Sequence, residues 1–233
     1  MIDIRSCDRH AGRITLKTST RYPSAMTGQG LTRQGRKRRQ QLMSEAAKLF
    51  AHSGYYATRV IDIVKSAGVA KGLFYWYFEN KETLFREIIK AARDDLRRAQ
   101  AKAIEGEKDP IKRISKGISA SLRFNAANEH LYLLFRSAGR QDRFAGLIEE
   151  SQLIHAEDTA AHIAAAIERG QLPAGDPLLL AHGVVATVFQ FARLSASGSI
   201  NMNLDELCEF VEAYCLRALG FSETQVLRKR ARA

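Results

Sequence analysis

The sequence predicts an all-α fold of nine or ten helices. Only four prolines occur in 233 residues, and Ala, Leu, Ile, Glu, Lys and Arg, which suit helices, are frequent. Apolar residues recur at spacings of three and four, whereas no long alternating run of Val, Ile and Thr indicates a strand. The 45% hydrophobic content is enough to fill a sizeable core in a chain of this length.

The first three predicted helices are short and close together. Apolar spacing predicts a helix from Gln40 to Ser53. Thr58 is a suitable N-cap for a second helix, Arg59 to Ala67. Gly68 then supplies the tight turn into a third helix, from about Ala70 to Phe78.

The later helices are placed by capping signals. Two Asp-Pro pairs, at 109–110 and 176–177, and the pair Asn203 with Glu206 have the pattern of a helix N-terminus. The predicted helices after the third span, in order, residues 81–103, 110–122, 131–138, 144–167, 178–195 and 204–219, followed by a short helix from Ser222.

The basic charge is concentrated in two tails. The formal net charge is +11, and residues 1 to 41 hold ten Lys and Arg against two Asp, a net of +8. The cations from Arg228 to Arg232 add +4, so the body of the chain is close to neutral. We therefore expect a basic, disordered extension at 1–35 and a short basic helix or tail at 222–233.

Several classes of protein are not indicated. Cys7, Cys208 and Cys215 have no paired spacing, so we expect no disulfide framework, no metal and no cofactor. The N-terminus lacks an apolar signal core, and the most apolar run, Pro177 to Ala192, is interrupted and too short for a membrane span. We therefore expect a cytoplasmic protein. Because no GxSxG, phosphate-loop or HExxH motif occurs, we also expect that it is not an enzyme.

One stretch is specific enough to indicate a family. Residues 68–78, GVAKGLFYWYF, join a turn glycine to a cation and a run of aromatic side chains, and Asn-Lys-Glu follows at 80–82. Upstream lie KLF at 48–50 and the Gly54-Tyr55 turn. In this register, about residues 38 to 90 resemble the DNA-binding domain of the TetR family of transcriptional repressors. Beyond Ile89 the resemblance is only architectural.

The resemblance implies a DNA-reading third helix. Such a helix needs small or long side chains at base edges and phosphate donors along its flanks, while the apolar Phe74 and Phe78 suit the core. Tyr77 fits the core as well as the surface, and Thr58 is mainly a cap. The cations at 36–39 can reach a minor groove or adjacent phosphates. The expected DNA contacts are Arg38, Arg39, Thr58, Arg59, Lys71, Gly72, Leu73, Tyr75, Trp76, Tyr77 and Lys81.

Two residues depart from the family pattern. Ala70 stands where the family usually has Ser or Thr, so a capping or phosphate-binding hydroxyl is missing. Leu73 replaces a residue that is commonly small or polar in the family. We expect Leu73 to contact a thymine methyl group.

The resemblance also implies that a helix-turn-helix domain at 36–90 is followed by a helical domain at 91–221, which binds a ligand and forms a homodimer. The helices at 178–195 and 204–219 are apolar around much of their circumference, which favours a four-helix interface. Cys208 and Cys215 share a face there and are expected to be buried in it. Candidate ligand-binding residues are Phe124, Tyr132, Phe135, Arg136, His155, His182 and Phe189, which suit an apolar or aromatic-bearing effector.

The sequence therefore predicts a ligand-responsive repressor. It would bind double-stranded DNA at a palindromic operator and leave it when a small molecule occupies the second domain and shifts the fourth helix. Two alternatives remain open, a transcriptional activator of the same fold and a sequence-nonspecific architectural DNA-binding protein.

Overall fold

The computed structural model describes residues 31–138 and 142–220, without the side chains of 132, 135–138 and 142. Within these ranges the chain is all-α, as predicted, with no strand. The predicted extension before residue 31 and the helix from Ser222 lie outside the described residues. The helices are α1 Arg33–Ser53, α2 Val60–Ser66, α3 Lys71–Tyr77, α4 Lys81–Ala103, α5 Pro110–Ala127, α6 Glu129–Ala138, α7 Asp142–Glu168, α8 Pro177–Ala196 and α9 Leu204–Ala218.

The capping signals placed the later helices correctly. The Asp109 carboxylate accepts a hydrogen bond from the Ile111 amide at 3.1 Å, and Asp176 does the same for the first turn of α8. Asn203 and Glu206 form a reciprocal capping box at the start of α9. Each cap satisfies amides that a helix N-terminus leaves unpaired, which fixes where the helix begins.

The first helix begins at Arg33 rather than Gln40. Its N-cap is Thr32, whose hydroxyl accepts a hydrogen bond from the Gly35 amide at 3.1 Å. The cations at 36–39 therefore lie on a helix instead of in an arm that leads into one. Residues 33–41 contain no large apolar side chain, so hydrophobic spacing gave no signal for this part of the helix.

Thr58 is not the N-cap of the second helix. That position belongs to Arg59, whose amide donates to the Asp62 carboxylate at 3.0 Å. Thr58 is only 3% exposed, and its hydroxyl donates to the Gly54 carbonyl at 2.8 Å. This hydroxyl therefore closes the turn between α1 and α2 from the inside.

The first core is built from the three N-terminal helices and the start of α4. Phe74 and Phe78 are fully buried in it, as predicted. Gly68, at φ +62°, makes the turn between α2 and α3 in a conformation that other residues rarely adopt. The other largest buried side chains of this core are Leu42, Phe50, Ile63, Leu84, Phe85 and Ile89.

The second core joins α5, α7, α8 and α9. Cys208 and Cys215 are buried in it, but they face the interior of their own protomer instead of a subunit interface. The Cys208 thiol lies 4.0 Å from the Ser119 carbonyl on α5, and burial raises the pKa of Cys215 to about 12. Both thiols therefore serve as small apolar core groups.

Phe144 connects the two parts of the chain. It lies in the first turn of α7, yet it is fully buried in the first core, where its ring stacks on Phe85 at 4.3 Å. Its edge also meets Tyr55 at 4.9 Å. Leu134 of α6 enters the same core. The first core thus includes residues from both sides of the predicted domain boundary at residue 90.

In the described part of the chain, α8 is the single helix that passes a length and composition test for a membrane span. It has 20 residues and extends beyond the apolar run noted in the sequence. One such helix is weak evidence for a span, because core and interface helices have the same composition. Its stripe of Ala181, Val184, Val188 and Ala192 packs into the second core.

Replacing Phe144 with Ala should lower the free energy of unfolding by about 3–5 kcal/mol, because it leaves a cavity beside Phe85 and Tyr55. Urea unfolding followed by circular dichroism measures this change. Tyr56→Ala is the matched control, since Tyr56 is 68% exposed in the same region, and it should cost less than about 1 kcal/mol. Equal losses in the two variants would contradict the central role of Phe144.

Candidate nucleic-acid interface and effector cavity

The outer face of α3 keeps five of the predicted DNA contacts accessible. Lys71 and Gly72 are exposed, Trp76 is 43% exposed, and Leu73 and Tyr75 are partly exposed. The Lys71 ammonium lies 6.0 Å from the centre of the Tyr75 ring, so the two side chains share one flank of the helix. A Cβ at Gly72 would meet nothing within 4 Å, so the backbone there is open to a close approach.

The N-terminus of α3 has the open cap that the sequence predicted. Ala70 occupies the N-cap position, and no side chain caps the first turn. The first amides of this short helix are consequently not masked by a hydroxyl.

Tyr77 and Thr58 are not available for DNA. Tyr77 is 3% exposed, and its ring meets the Trp76 indole edge-on at 4.6 Å. The prediction that its hydroxyl or ring contacts DNA is therefore wrong, and its role is to support Trp76 from the core side. Thr58 cannot contact DNA either, because it is buried and its hydroxyl donates to the Gly54 carbonyl.

Arg39 also points into the protein. Its guanidinium pairs with Glu87 of α4 and lies 5.0 Å from the centre of the Phe78 ring. Burial lowers the pKa of this guanidinium, and its side chain is only 19% exposed. The prediction that Arg39 contacts DNA is therefore wrong, because the residue fastens α1 to α4. Arg38, its neighbour, remains exposed on the outer side of the helix.

Lys81 is a structural clamp at the start of α4. Its ammonium donates to the carbonyls of Tyr55 and Thr58, both at 2.7 Å, and lies 4.3 Å from the centre of the Tyr55 ring. Burial lowers the pKa of Lys81. Two of its three N–H groups are used in these bonds. Lys81 is therefore not the free, phosphate-binding cation that the sequence predicted, because it holds the α1–α2 turn in place.

Arg59 is exposed but already paired. Its guanidinium makes two hydrogen bonds of 3.0 Å to the Asp62 carboxylate, which raise the pKa of Arg59 and lower that of Asp62. A phosphate would have to compete with this carboxylate for the same fork of donors. Arg59 is therefore accessible to DNA only at the expense of an existing ion pair.

A cavity of about 700 Å³ lies between α4, α5, α7 and α8. His155 and Phe189, two of the predicted ligand-binding residues, line it. Phe124 and His182 are not among the lining residues, and His182 is exposed on α8, so for these two ligand contact stays a prediction. The side chains of Tyr132, Phe135 and Arg136 are outside the described set. Apolar parts of the wall come from Leu96, Ile114, Ile118, Val184, Val185 and Val188.

Two residues that line this cavity each have a buried polar atom without a hydrogen-bond partner among the described residues. His155 is 5% exposed, and its Nδ1 makes no hydrogen bond. The Nε of Arg113, on α5, is likewise buried and unpaired. Arg113 was not predicted from the sequence, because helical spacing does not show which other helices face α5; Gly117, one turn later, lines the same cavity. Within the described ranges, no cluster of three His, Cys, Asp or Glu residues could hold a metal.

The His155 imidazole is neutral at pH 7. Burial is the main reason that its pKa falls to about 4, and the nearby Arg97 and Arg93 lower it further against the opposing effect of Asp158 and Asp94. A neutral imidazole can donate one hydrogen bond and accept another, so it suits an uncharged polar atom of a ligand.

Acid should destabilise the protein partly through His155. The folded-state pKa of about 4 lies below the unfolded value of 6.5, so the unfolded chain binds more protons between these values. Stability therefore falls as pH drops through this window, by on the order of 3 kcal/mol from this group. His155→Gln should lose correspondingly less between pH 7 and pH 4 in urea titrations. Parallel pH profiles for the two proteins would exclude this contribution.

Comparison with known proteins agrees with the helix-turn-helix geometry. Residues 42–88 match the family model described as bacterial regulatory proteins of the tetR family. The chain is 35% identical over 83 residues to the HTH-type transcriptional regulator HbdR of Aromatoleum sp. (strain CIB), covering 36% of each protein. It is 44% identical over 59 residues to the HTH-type transcriptional repressor KstR2 of Rhodococcus jostii (strain RHA1), covering 25% of this chain and 29% of that protein. These matches span about a third of the relatives' length.

Solved structures share the fold of most of the chain. A TetR-family regulator from Syntrophomonas wolfei superimposes with a TM-score of 0.71 at 22% identity, over 81% of this chain and 98% of that one. FadR from Bacillus subtilis, in complex with stearoyl-CoA, gives a TM-score of 0.68 at 19% identity, over 78% and 97% of the two chains. At these identities the similarity establishes the fold alone. Residues 42–88 thus match the tetR family of bacterial regulatory proteins in sequence, and the described helices have the fold of solved TetR-like regulators.

Proposed function

We propose that this protein is a homodimeric, ligand-responsive transcriptional repressor. The observation that carries the proposal is the open face of α3, where Lys71, Gly72 and Trp76 are exposed on a domain that matches the tetR family model. Relatives matched over this domain carry the names of transcriptional regulators and repressors. The proposed function implies a cytoplasmic protein associated with the nucleoid.

The α3 face suits a major groove. Gly72 allows the backbone to approach closely, Lys71 can donate to a guanine edge or a phosphate, and Leu73 can contact a thymine methyl group. Tyr75 and Trp76 fit sugar and phosphate contacts beside the groove. Because Arg39 and Lys81 are engaged within the protein, phosphate binding depends on Lys71 and Arg38 and on Arg59 after exchange of its carboxylate partner.

A second copy of the chain would cover the apolar surface of α8 and α9. Leu179 is 70% exposed on α8, and Phe210 and Tyr214 are exposed one turn apart on α9. Phe191 of α8 packs on both aromatic rings, at 5.5 and 6.2 Å, so the two helices present one continuous apolar face. We propose the homodimer contact at 178–195 and 204–219, which would set two α3 helices on successive major grooves of a palindromic site.

The cavity is the proposed effector site, and α4 and α7 are the elements that connect it to α3. His155 lies eleven residues after Phe144 on α7, about 16 Å along one helix. α4 contributes Leu96 and Arg97 to the cavity and begins at Lys81, beside the DNA-binding helices. A ligand that prefers one arrangement of these helices would change the spacing of the two α3 helices. The effector is proposed to be a small molecule with an apolar or aromatic part.

Two alternatives follow from the same fold. A transcriptional activator would use the same surfaces, and in vitro transcription from an operator-bearing template separates it from a repressor by the sign of the effect. A sequence-nonspecific architectural protein would bind through charge alone, with a steep salt dependence and no preferred sequence.

Operator binding should depend on Lys71 and report through Trp76. After selection of a preferred site from a random duplex library, Lys71→Met should weaken binding about tenfold or more, because it removes a direct donor to DNA. Lys112→Met, an exposed lysine on α5, is the matched control and should bind as the wild type does. Trp76 is the single tryptophan, so its fluorescence should change on binding. Failure to enrich any sequence would remove the proposal.

Introducing a charge on the α8–α9 face should separate the subunits. Phe210→Asp would bury an unpaired carboxylate against the partner, so the wild-type mass of about twice 26.0 kDa should fall to that of one chain. Light scattering after gel filtration measures the mass. Lys112→Asp provides the control for a charge change on an exposed helix elsewhere. A dimeric Phe210→Asp protein would show that the contact lies on another surface.

A further inference from the structure

We propose that the cavity binds an elongated carboxylic acid, with its carboxylate on Arg113 and a second, uncharged polar atom on His155. The proposal rests on the proposed function of this cavity as the effector site, and it adds the chemical class of the effector. It rests on which charged and polar groups of the cavity wall have partners within the protein and which do not.

Arg113 is the cation of the described cavity wall that lacks a carboxylate partner. Arg97 is held by two hydrogen bonds to Asp158, at 2.7 and 3.1 Å, and Arg98 pairs with Asp95. Asp94 pairs with Arg93 at 3.1 Å. No described carboxylate lies within ion-pair distance of Arg113, and its Nε is buried without a hydrogen bond. A carboxylate can accept two hydrogen bonds from such a guanidinium.

The remaining acidic group of the described wall does not offset this cation. Glu157 lines the cavity but is exposed, so solvent screens its charge. Asp158 is already neutralised by Arg97 across the gap between α4 and α7. Arg113 is therefore the unpaired charge that an anionic ligand can bind. A cationic ligand would have no unpaired carboxylate to bind in the buried part of the described wall.

His155 supplies the second polar anchor. It lines the cavity, and its imidazole forms no hydrogen bond with a described residue, so a ligand hydroxyl or carbonyl would bind there without displacing a protein partner. Arg113 lies on α5 and His155 on α7, so the two anchors are on different helices of the wall. On α4 the wall extends from Asp94 to Ala101, seven residues or about 10 Å along the helix, which leaves room for an elongated ligand.

Three other polar side chains of the cavity wall have partners within the protein. The Gln100 amide donates to the Ser121 hydroxyl at 2.9 Å, and that hydroxyl donates to the Gly117 carbonyl at 2.7 Å. The Asn125 amide donates to the Ser121 carbonyl at 2.8 Å. Apolar side chains, among them Ile114, Ile118 and Val188, line the same cavity. A ligand with an apolar body and polar groups towards its two ends fits this pattern.

Calorimetry on the full-length wild-type protein, without DNA, tests the carboxylate. Decanoate should bind about tenfold more tightly than decanamide, which has the same length and no charge, because it makes charged hydrogen bonds to Arg113. Decylamine should bind more weakly than both. In Arg113→Gln the preference for the acid should disappear, whereas Lys112→Gln, next to it but exposed, should keep the preference. Equal binding of acid and amide by the wild type, or no decanoate binding at millimolar concentration, overturns the proposal even if a variant fails to fold.

A second titration tests the His155 anchor. 10-Hydroxydecanoate should bind several-fold more tightly than decanoate to the wild type, and His155→Phe should remove this gain while the preference for acid over amide persists. No gain in the wild type overturns the role of His155. Because these titrations contain no DNA, they can fail while operator selection succeeds, and operator selection can fail while they succeed.

Discussion

The first core depends on one aromatic cluster that joins the α1–α2 turn, α4 and α7. Tyr55, Phe85 and Phe144 pack edge-on and stacked within about 5 Å of one another, and the Lys81 ammonium closes the cluster by binding the carbonyls of the α1–α2 turn. Phe144 belongs to α7, so the core of the N-terminal domain is completed by the domain that follows it. Close-packed groups of this kind resist continuous deformation, so a shift of α7 would displace the α1–α2 turn and the start of α4 with it.

The same cluster gives the proposed effector site a physical connection to DNA. α4 and α7 both pass from the cavity to the cluster, and the Arg97–Asp158 ion pair joins them at the cavity end. A carboxylic acid between Arg113 and His155 would contact α5 and α7, and α7 carries Phe144 of the cluster. The size of any response is limited by the difference in ligand affinity between the two arrangements, as linkage requires.

Formal charge proved a poor guide to the DNA-binding surface. Arg39, Arg59 and Lys81 are all cations near α3, yet one is paired with Glu87, one with Asp62, and one is bound to two carbonyls. Arg39 and Lys81 each hold two segments together. Arg59 pairs within the first turn of α2 and could exchange its partner, because it is exposed. The neutral contributors to the α3 face, Gly72 and Trp76, are therefore as important to the proposed contact as its cation, Lys71.

The sequence by itself determined the all-α class, the caps at Asp109, Asp176 and Asn203, and the core placement of Phe74 and Phe78, because these depend on neighbours within a few residues. Tertiary structure alone decided the burial of Thr58 and Tyr77, the inward direction of Arg39, and the meeting of Arg113 with His155 in one cavity. The reason is that partners such as Glu87 for Arg39, and α7 for α5, are distant in sequence. Helical periodicity states which side chains share a face of one helix, but not which other helix covers that face.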